Sequence, residues 1–390
     1  MNKAPFRSSH CTTPVAIGFL FFVNGIVFAS WATNIPFIQQ RYDLTKGEIG
    51  TVLLLMAAGA VVFMTLTNRL VRWMGGRFVS MLATQCFAFA LMATLWADTI
   101  PFLIVSVILL GAANGSMDVA MNRQAAQYET LIKQPIMSRF HGCFSVGALL
   151  GAVATFATDW VGASPVDQTV VTLVLVLGVG LALYSGLLTD RVESGKEQNH
   201  LSFELLKKDN LLVLGLLSFL TMMSEGAIAD WSTLFLIDYS AMTSGTAALG
   251  FATYASTMII GRLSGDQVTG RIGRRRLVQL SGGLTSLGIA LVLFGWPTGM
   301  KFLGFAILGF GIANLVPVVF STAATRNSVH PGSGITIVSV AGYSGFLVGP
   351  ALIGWLAAVI GLDRSLLVVL VAGLAFLLMA RIFEDAGHSK

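Results

Sequence analysis

Apolar runs of about twenty residues recur along the whole chain, separated by short stretches where charge, glycine and proline collect. A run of that length crosses a hydrocarbon core of roughly 30 Å as an α-helix. Read between the breaks, the pattern predicts twelve spans, at 14–35, 48–70, 77–97, 101–126, 137–158, 168–189, 210–237, 244–268, 275–296, 301–325, 334–360 and 364–383. Strand-like alternation is absent, which sets a β-barrel aside. The first run follows Lys3 and Arg7 as a signal sequence would, but its length and the eleven spans after it mark it as a retained helix.

The most polar interior stretch, 190-DRVESGKEQNHLSFELLKKDN-210, falls between spans six and seven. It divides the chain into 1–189, a linker at 190–209, and 210–390; Leu201–Lys208 within it reads as an amphipathic surface helix. A shift of 198 residues then lays the halves over each other without gaps from the second span to the fifth. It sets Gly75 on Gly273, Arg77 on Arg275, Gly111 on Gly309, and Gly147 and Gly151 on Gly345 and Gly349. With a one-residue slip, 24-NGIVFASWAT-33 resembles 225-EGAIADWST-233. The expected fold is an all-α integral membrane protein, with twelve transmembrane helices in two six-helix bundles related by an internal repeat. That organisation suits a secondary transporter in which two bundles rock about a central site.

Composition agrees, with 55% hydrophobic and 11% charged residues. Lysine and arginine add direction: 20 of the 24 fall in the termini and loops of one side, leaving Arg41, Lys46, Lys301 and Arg364 on the other. The positive-inside bias then places both termini in the cytoplasm and the protein in the inner (cytoplasmic) membrane. The net charge of +5 reflects this topology and contact with anionic lipid, and gives no argument for a nucleic-acid partner. Cys11, Cys86 and Cys143 lie far apart and read as free thiols. No cluster has metal-ligand spacing, no phosphate-binding glycine loop is present, and no nucleophile–base pair emerges, so neither a metal, a cofactor nor an enzymatic activity is expected.

Polar residues inside apolar spans carry the candidate chemistry, because lipid cannot solvate them. Asn114, Asp118 and Asn122 stand at i, i+4 and i+8 on one face of span four. Glu225 lies about fifteen residues into span seven, near the midplane at 1.5 Å per residue; Asp230 is five residues on and points elsewhere on the helix. One acid is expected to face the cavity and the other to tie helices together. His141, with Ser138 and Ser145 on one stripe of span five, either relays protons beside Asp118 or is a structural residue near a helix end. Proton coupling is assigned to Asp118, Glu225, Asp230 and His141. Asn24, Trp31, Asn114, Asn122, Trp231, Asn314 and Tyr343 are the candidate solute contacts; Trp31 and Trp231 occupy matching places in the repeated first helices, where interfacial anchoring is the other reading.

The stretch 261-GRLSGDQVTGRIGRRR-276 resembles the signature loop of the major facilitator superfamily, and the resemblance extends over essentially the whole chain. It implies a cytoplasmic gate at Arg262, Asp266, Arg271 and Arg274, with Arg262 and Asp266 one turn apart. The N-terminal copy, 67-TNRLVRWMGGR-77, has Asn68 where the acid is expected, next to Arg69. Within the superfamily, Asp118-Val-Ala-Met-Asn122 is similar to the acid-x-x-x-Asn element of fucose-permease-type sugar–proton symporters. The function this implies is proton-coupled symport of a small polar, sugar-like solute by alternating access, with solute, protons and membrane lipids as partners of a monomeric protein. A drug/proton antiporter is the nearest alternative; such antiporters resemble one another in a Gly-x-x-x-Gly-Pro element of span five, whereas 147-GALLGA-152 has no proline. A receptor or scaffold that kept the fold without transport is the other.

Overall fold

The computed structural model describes residues 12–134, 136–189, 210–294, 297–326 and 331–384, and every regular element among them is helical. In chain order these are α1 (Thr13–Tyr42), α2 (Lys46–Met74), α3 (Gly76–Trp96), α4 (Ile100–Ile132), α5 (Met137–Trp160) and α6 (Pro165–Leu183). After the linker, which lies outside the described residues together with its expected surface helix, come α7 (Leu211–Ser240), α8 (Ser244–Ile272), α9 (Arg274–Leu293), α10 (Thr298–Ile312), α11 (Leu315–Arg326), α12 (Pro331–Ile360), α13 (Leu362–Ser365) and α14 (Leu367–Met379). Eleven of the spans are long and apolar enough to cross a membrane. The remaining helix, α8, has the length but is diluted by Arg262, Asp266, Gln267 and a series of serines and threonines.

Several helices outrun the apolar runs that predicted them. Thus α1 continues past residue 35 through Pro36 to Tyr42, and α4 reaches Ile132, because a helix that packs on neighbours carries its hydrogen-bond ladder beyond its apolar stretch. Span ten is broken at Ala313 and Asn314 into α10 and α11. Helix starts are fixed locally: Ser164 and Asp167 form a reciprocal capping box ahead of α6, and Thr45 and Glu48 exchange the same bonds at α2.

The chain forms two compact units, one comprising Met1–Leu44, Val52–Gly195 and Thr243–Ala248, the other Thr45–Thr51, Lys196–Met242 and Leu249–Lys390. Their internal schemes match. In the first, α1 packs on α5, and α3 on α4 and α6; in the second, α7 packs on α12, and α9 on α10 and α14. The glycines of the repeat match as well. A Cβ on Gly111 would overlap the carbonyl of Met56, and one on Gly309 would overlap that of Tyr254, so backbones touch at matched positions. Gly75 and Gly273 both hold positive φ, +86° and +80°, and let the chain reverse between the second and third helices of each half. Just beyond those turns, Arg77 donates to the carbonyl of Leu187 (2.7 Å), while Arg275 pairs with Glu384; each ties down the segment that follows its own unit's last helix.

Gly111→Val is expected to lower the yield of folded protein and its unfolding temperature in detergent, at a cost of about 1–3 kcal/mol or more, because the carbonyl it meets is backbone and cannot turn aside. Gly142→Val, where a Cβ meets nothing, is the control and should change little.

Candidate functional site

In the first unit the polar stripe of α4 is divided between two hydrogen bonds. Asn24 on α1 donates through Nδ2 to Oδ1 of Asn114 (3.1 Å), joining two helices by their side-chain amides. One turn further on, Asn122 donates through Nδ2 to Oδ1 of Asp118 (3.2 Å) and to its backbone carbonyl (2.9 Å). His141 stands near the start of α5. Its ring stands edge-on to Phe21, with centroids 5.1 Å apart, and Asn122 on the acid's own helix is the hydrogen-bond partner of the Asp118 side chain among the described residues.

A buried network that the sequence reading missed ties α1, α5 and α6. Thr33 and Thr155 share a hydroxyl bond of 2.7 Å; Asn34 donates to Gln168 (3.3 Å), and Gln168 donates to Ser30 (3.1 Å). Every member is partnered, which is the condition for burying such groups without penalty.

The second unit holds the charges. Glu225 lies halfway along α7, and Arg262 reaches it from α8, donating through Nη2 to both carboxylate oxygens at 3.2 and 3.1 Å. Arg262, expected in the cytoplasmic gate one turn from Asp266, thus also bridges α8 to α7; the side chain of Asp266 lies outside the described residues. Asp230, by contrast, is 7% exposed, and its Oδ1 has no hydrogen-bond partner among the described residues. The hydroxyls of Ser232 and Thr233 on the same turns are likewise buried without partners. Glu225 is thus tied to a neighbouring helix, and Asp230 is enclosed.

The remaining candidates fall in three settings. Asn314, at the break between α10 and α11, is buried and donates to the carbonyl of Gly261 (3.0 Å), so it holds α8 against the broken span. Arg274 donates to Ser321 (3.0 Å), while Asn68, Arg69 and Arg271 are exposed near the ends of α2 and α8. Tyr343 is exposed on α12. Cys86 and Cys143 are free thiols, Cys11 lies outside the described residues, and no three metal-ligating side chains gather among the described residues.

A family model described as Major Facilitator Superfamily matches residues 17–327. The chain belongs to the major facilitator superfamily. It is a multi-pass membrane transporter of that family, and not an enzyme. Its similarity to Membrane protein MosC of Rhizobium meliloti is 42% identity over 377 residues, covering 97% of this chain and 91% of that one. An MFS-type transporter of Yersinia pestis is 33% identical over 338 residues, 86% of this chain and 87% of the relative. Among solved structures, a D-xylose–proton symporter superposes with a TM-score of 0.73 at 12% identity, covering 98% of this chain and all of that one. The nucleoside transporter NupG does so at 0.69 and 15%, covering 95% and 97%. These two likenesses speak for the fold of two six-helix bundles.

Within this transporter the paired tryptophans are core residues. Trp31 and Trp231 are both fully buried, not on an open wall. Trp231 donates through Nε1 to the carbonyl of Pro350 (3.0 Å), whereas Nε1 of Trp31 has no partner among the described residues. Trp231→Phe should therefore destabilise the folded protein by about 1–3 kcal/mol, and Trp31→Phe by less, since it removes a donor that is already unsatisfied. Thermal unfolding of the two variants in detergent measures the difference; equal losses would contradict it.

Proposed function

We propose that this superfamily member is a secondary active transporter that couples entry of a small, polar, sugar-like solute to protons by alternating access. The observation that carries the reading is the pair of acids on α7, one joined to a single arginine and one enclosed with an open hydrogen-bonding oxygen. Carboxyl groups are kept inside apolar helices for moving ions or protons far more often than for packing. The amide pair Asn24–Asn114 and the Asp118–Asn122 element supply the donors and acceptors that hydroxyl groups require, which supports the sugar-like solute and the fucose-permease-type assignment. Proton traffic is assigned to Asp118, Glu225 and Asp230, with His141 near the start of α5 as a further exchanging group. The charge bias of the loops supports cytoplasmic termini and a location in the cytoplasmic membrane, where the protein is proposed to act as a monomer.

Vesicles containing the purified protein test this reading. Solute accumulation should follow an inward proton gradient and stop when an ionophore collapses it. Accumulation that ignores the ionophore would remove proton coupling, and a protein that moves no solute at all would be a scaffold.

A further inference from the structure

Beyond its expected place in the gate and its bond to Glu225, Arg262 carries donors that a neutral solute does not call for. A guanidinium stays charged at any physiological pH and is costly within a membrane helix. This one stands ten residues from the end of α8 (Ser244–Ile272), about 15 Å of helix. It spends a single nitrogen, Nη2, on Glu225, and its other nitrogens make no hydrogen bond among the described residues. The pair is not sealed, since the Arg262 side chain is 36% exposed and that of Glu225 15%. Exposure of such a cation is tolerable only toward water. Eight residues earlier on α8, Tyr254 is 2% exposed, and its hydroxyl has no partner among the described residues. A guanidinium fork with spare donors, on the same helix as an unused buried hydroxyl, suits a planar acidic group.

We propose that Arg262 receives a carboxylate carried by the transported solute, with the Tyr254 hydroxyl as a second donor, and that Glu225 is the built-in competitor for the same guanidinium. This rests on the solute–proton reading above and narrows the solute to a small hydroxylated carboxylic acid. The step balances in charge and protons. Before binding, Glu225 and Arg262 cancel each other. When the solute's carboxylate takes the donors of Arg262, Glu225 loses its counter-ion and takes one proton from water. The solute brings one negative charge and the proton one positive, so the occupied site has the same net charge as the empty one. Each acidic group admitted thus brings one proton with it.

On α8 itself Asp266 lies one turn from Arg262 with its side chain outside the described residues, and Arg271 is exposed beyond it. Asp230 is five residues on along α7, and Asp238 beyond it is held by Lys46 at 2.8 Å. Lys301 of α10 is engaged on the carbonyl of Tyr239 and the hydroxyl of Ser240 at the far end of α7. In α12 the titratable residue is Tyr343, and α14 has none; Arg326 ends α11, and its side chain lies outside the described residues.

Matched acid and neutral solutes test the proposal on the purified full-length protein: D-galacturonate against D-galactose, D-gluconate against D-glucitol, and L-lactate against glycerol. A ligand that binds the folded state raises its unfolding temperature. An acid from these pairs should do so and its neutral partner should not. Arg262→Gln should weaken the response about tenfold or more, as loss of a charge-assisted pair does. Glu225→Gln should strengthen it, and should abolish the uptake of one proton per ligand seen by the wild type in unbuffered solution. The Glu225→Gln/Arg262→Gln double variant, which strands no charge, controls for folding and should remain insensitive to the acid. A neutral partner that stabilises as well as its acid, a response that survives Arg262→Gln, or silence of all three acids on a cooperatively melting protein would each overturn the assignment. Proton-driven uptake of a neutral sugar would overturn it while leaving the proposed transport intact, whereas failure of every solute to move protons would remove both.

Discussion

Asp230→Asn is expected to abolish gradient-driven accumulation of solute, by tenfold or more, while leaving exchange of solute across the membrane nearly intact. The carboxyl is buried, one of its oxygens has no partner among the described residues, and the adjacent hydroxyls of Ser232 and Thr233 are in the same position. A group so enclosed gains or loses a proton only when helix packing opens it to water. That requirement links proton movement to the conformational cycle, which is the condition for coupling. Asparagine preserves shape and polarity, so the fold and the solute contacts survive and only the exchangeable proton is lost. Accumulation and counterflow measured on the same vesicles separate the two effects. Normal accumulation by Asp230→Asn would assign the residue to packing.

The second large effect is expected at Asp118. Asp118→Asn should slow transport about tenfold or more and change its pH dependence, with little loss of stability, because an amide still accepts from Asn122. Asp118→Leu should in addition destabilise the protein by about 1–3 kcal/mol, since it leaves the Asn122 amide short of an acceptor on a polar stripe. Initial rates across pH, with unfolding temperatures for both variants, check the pair of outcomes. Wild-type rates and an unchanged pH profile for Asp118→Asn would reduce the stripe to helix-to-helix adhesion.

What could be read from the sequence, and what could not, follows from physical range. The repeat was legible because its glycines answer to local backbone demands: the positive φ at Gly75 and Gly273, and the close approach of carbonyls at Gly111 and Gly309. Acids in an apolar span were equally plain, since nothing else in α7 carries charge until Asp238. Partners were not. Arg262 lies one turn from Asp266 along its own helix, yet it bonds Glu225, 37 positions away, because the rotation and depth of α7 against α8 are set by packing that no single span encodes. The Ser30, Thr33, Asn34, Thr155 and Gln168 network escaped notice for a related reason. Serine and threonine in membrane helices satisfy themselves on the preceding turn, as Thr33 does on Ala29, so nothing in the sequence marks those that also reach across. The tryptophans misled in the opposite sense: their matched places in the repeat were real, but matched places in a bundle are as readily core as wall.

The most direct test of proton-coupled transport is the proton itself. Vesicles loaded with a pH-sensitive dye and containing the purified protein should acidify inside when the solute is added outside, and should do so far less with Glu225→Gln or Asp230→Asn. Solute entry without acidification, or acidification unchanged in both variants, would contradict the account.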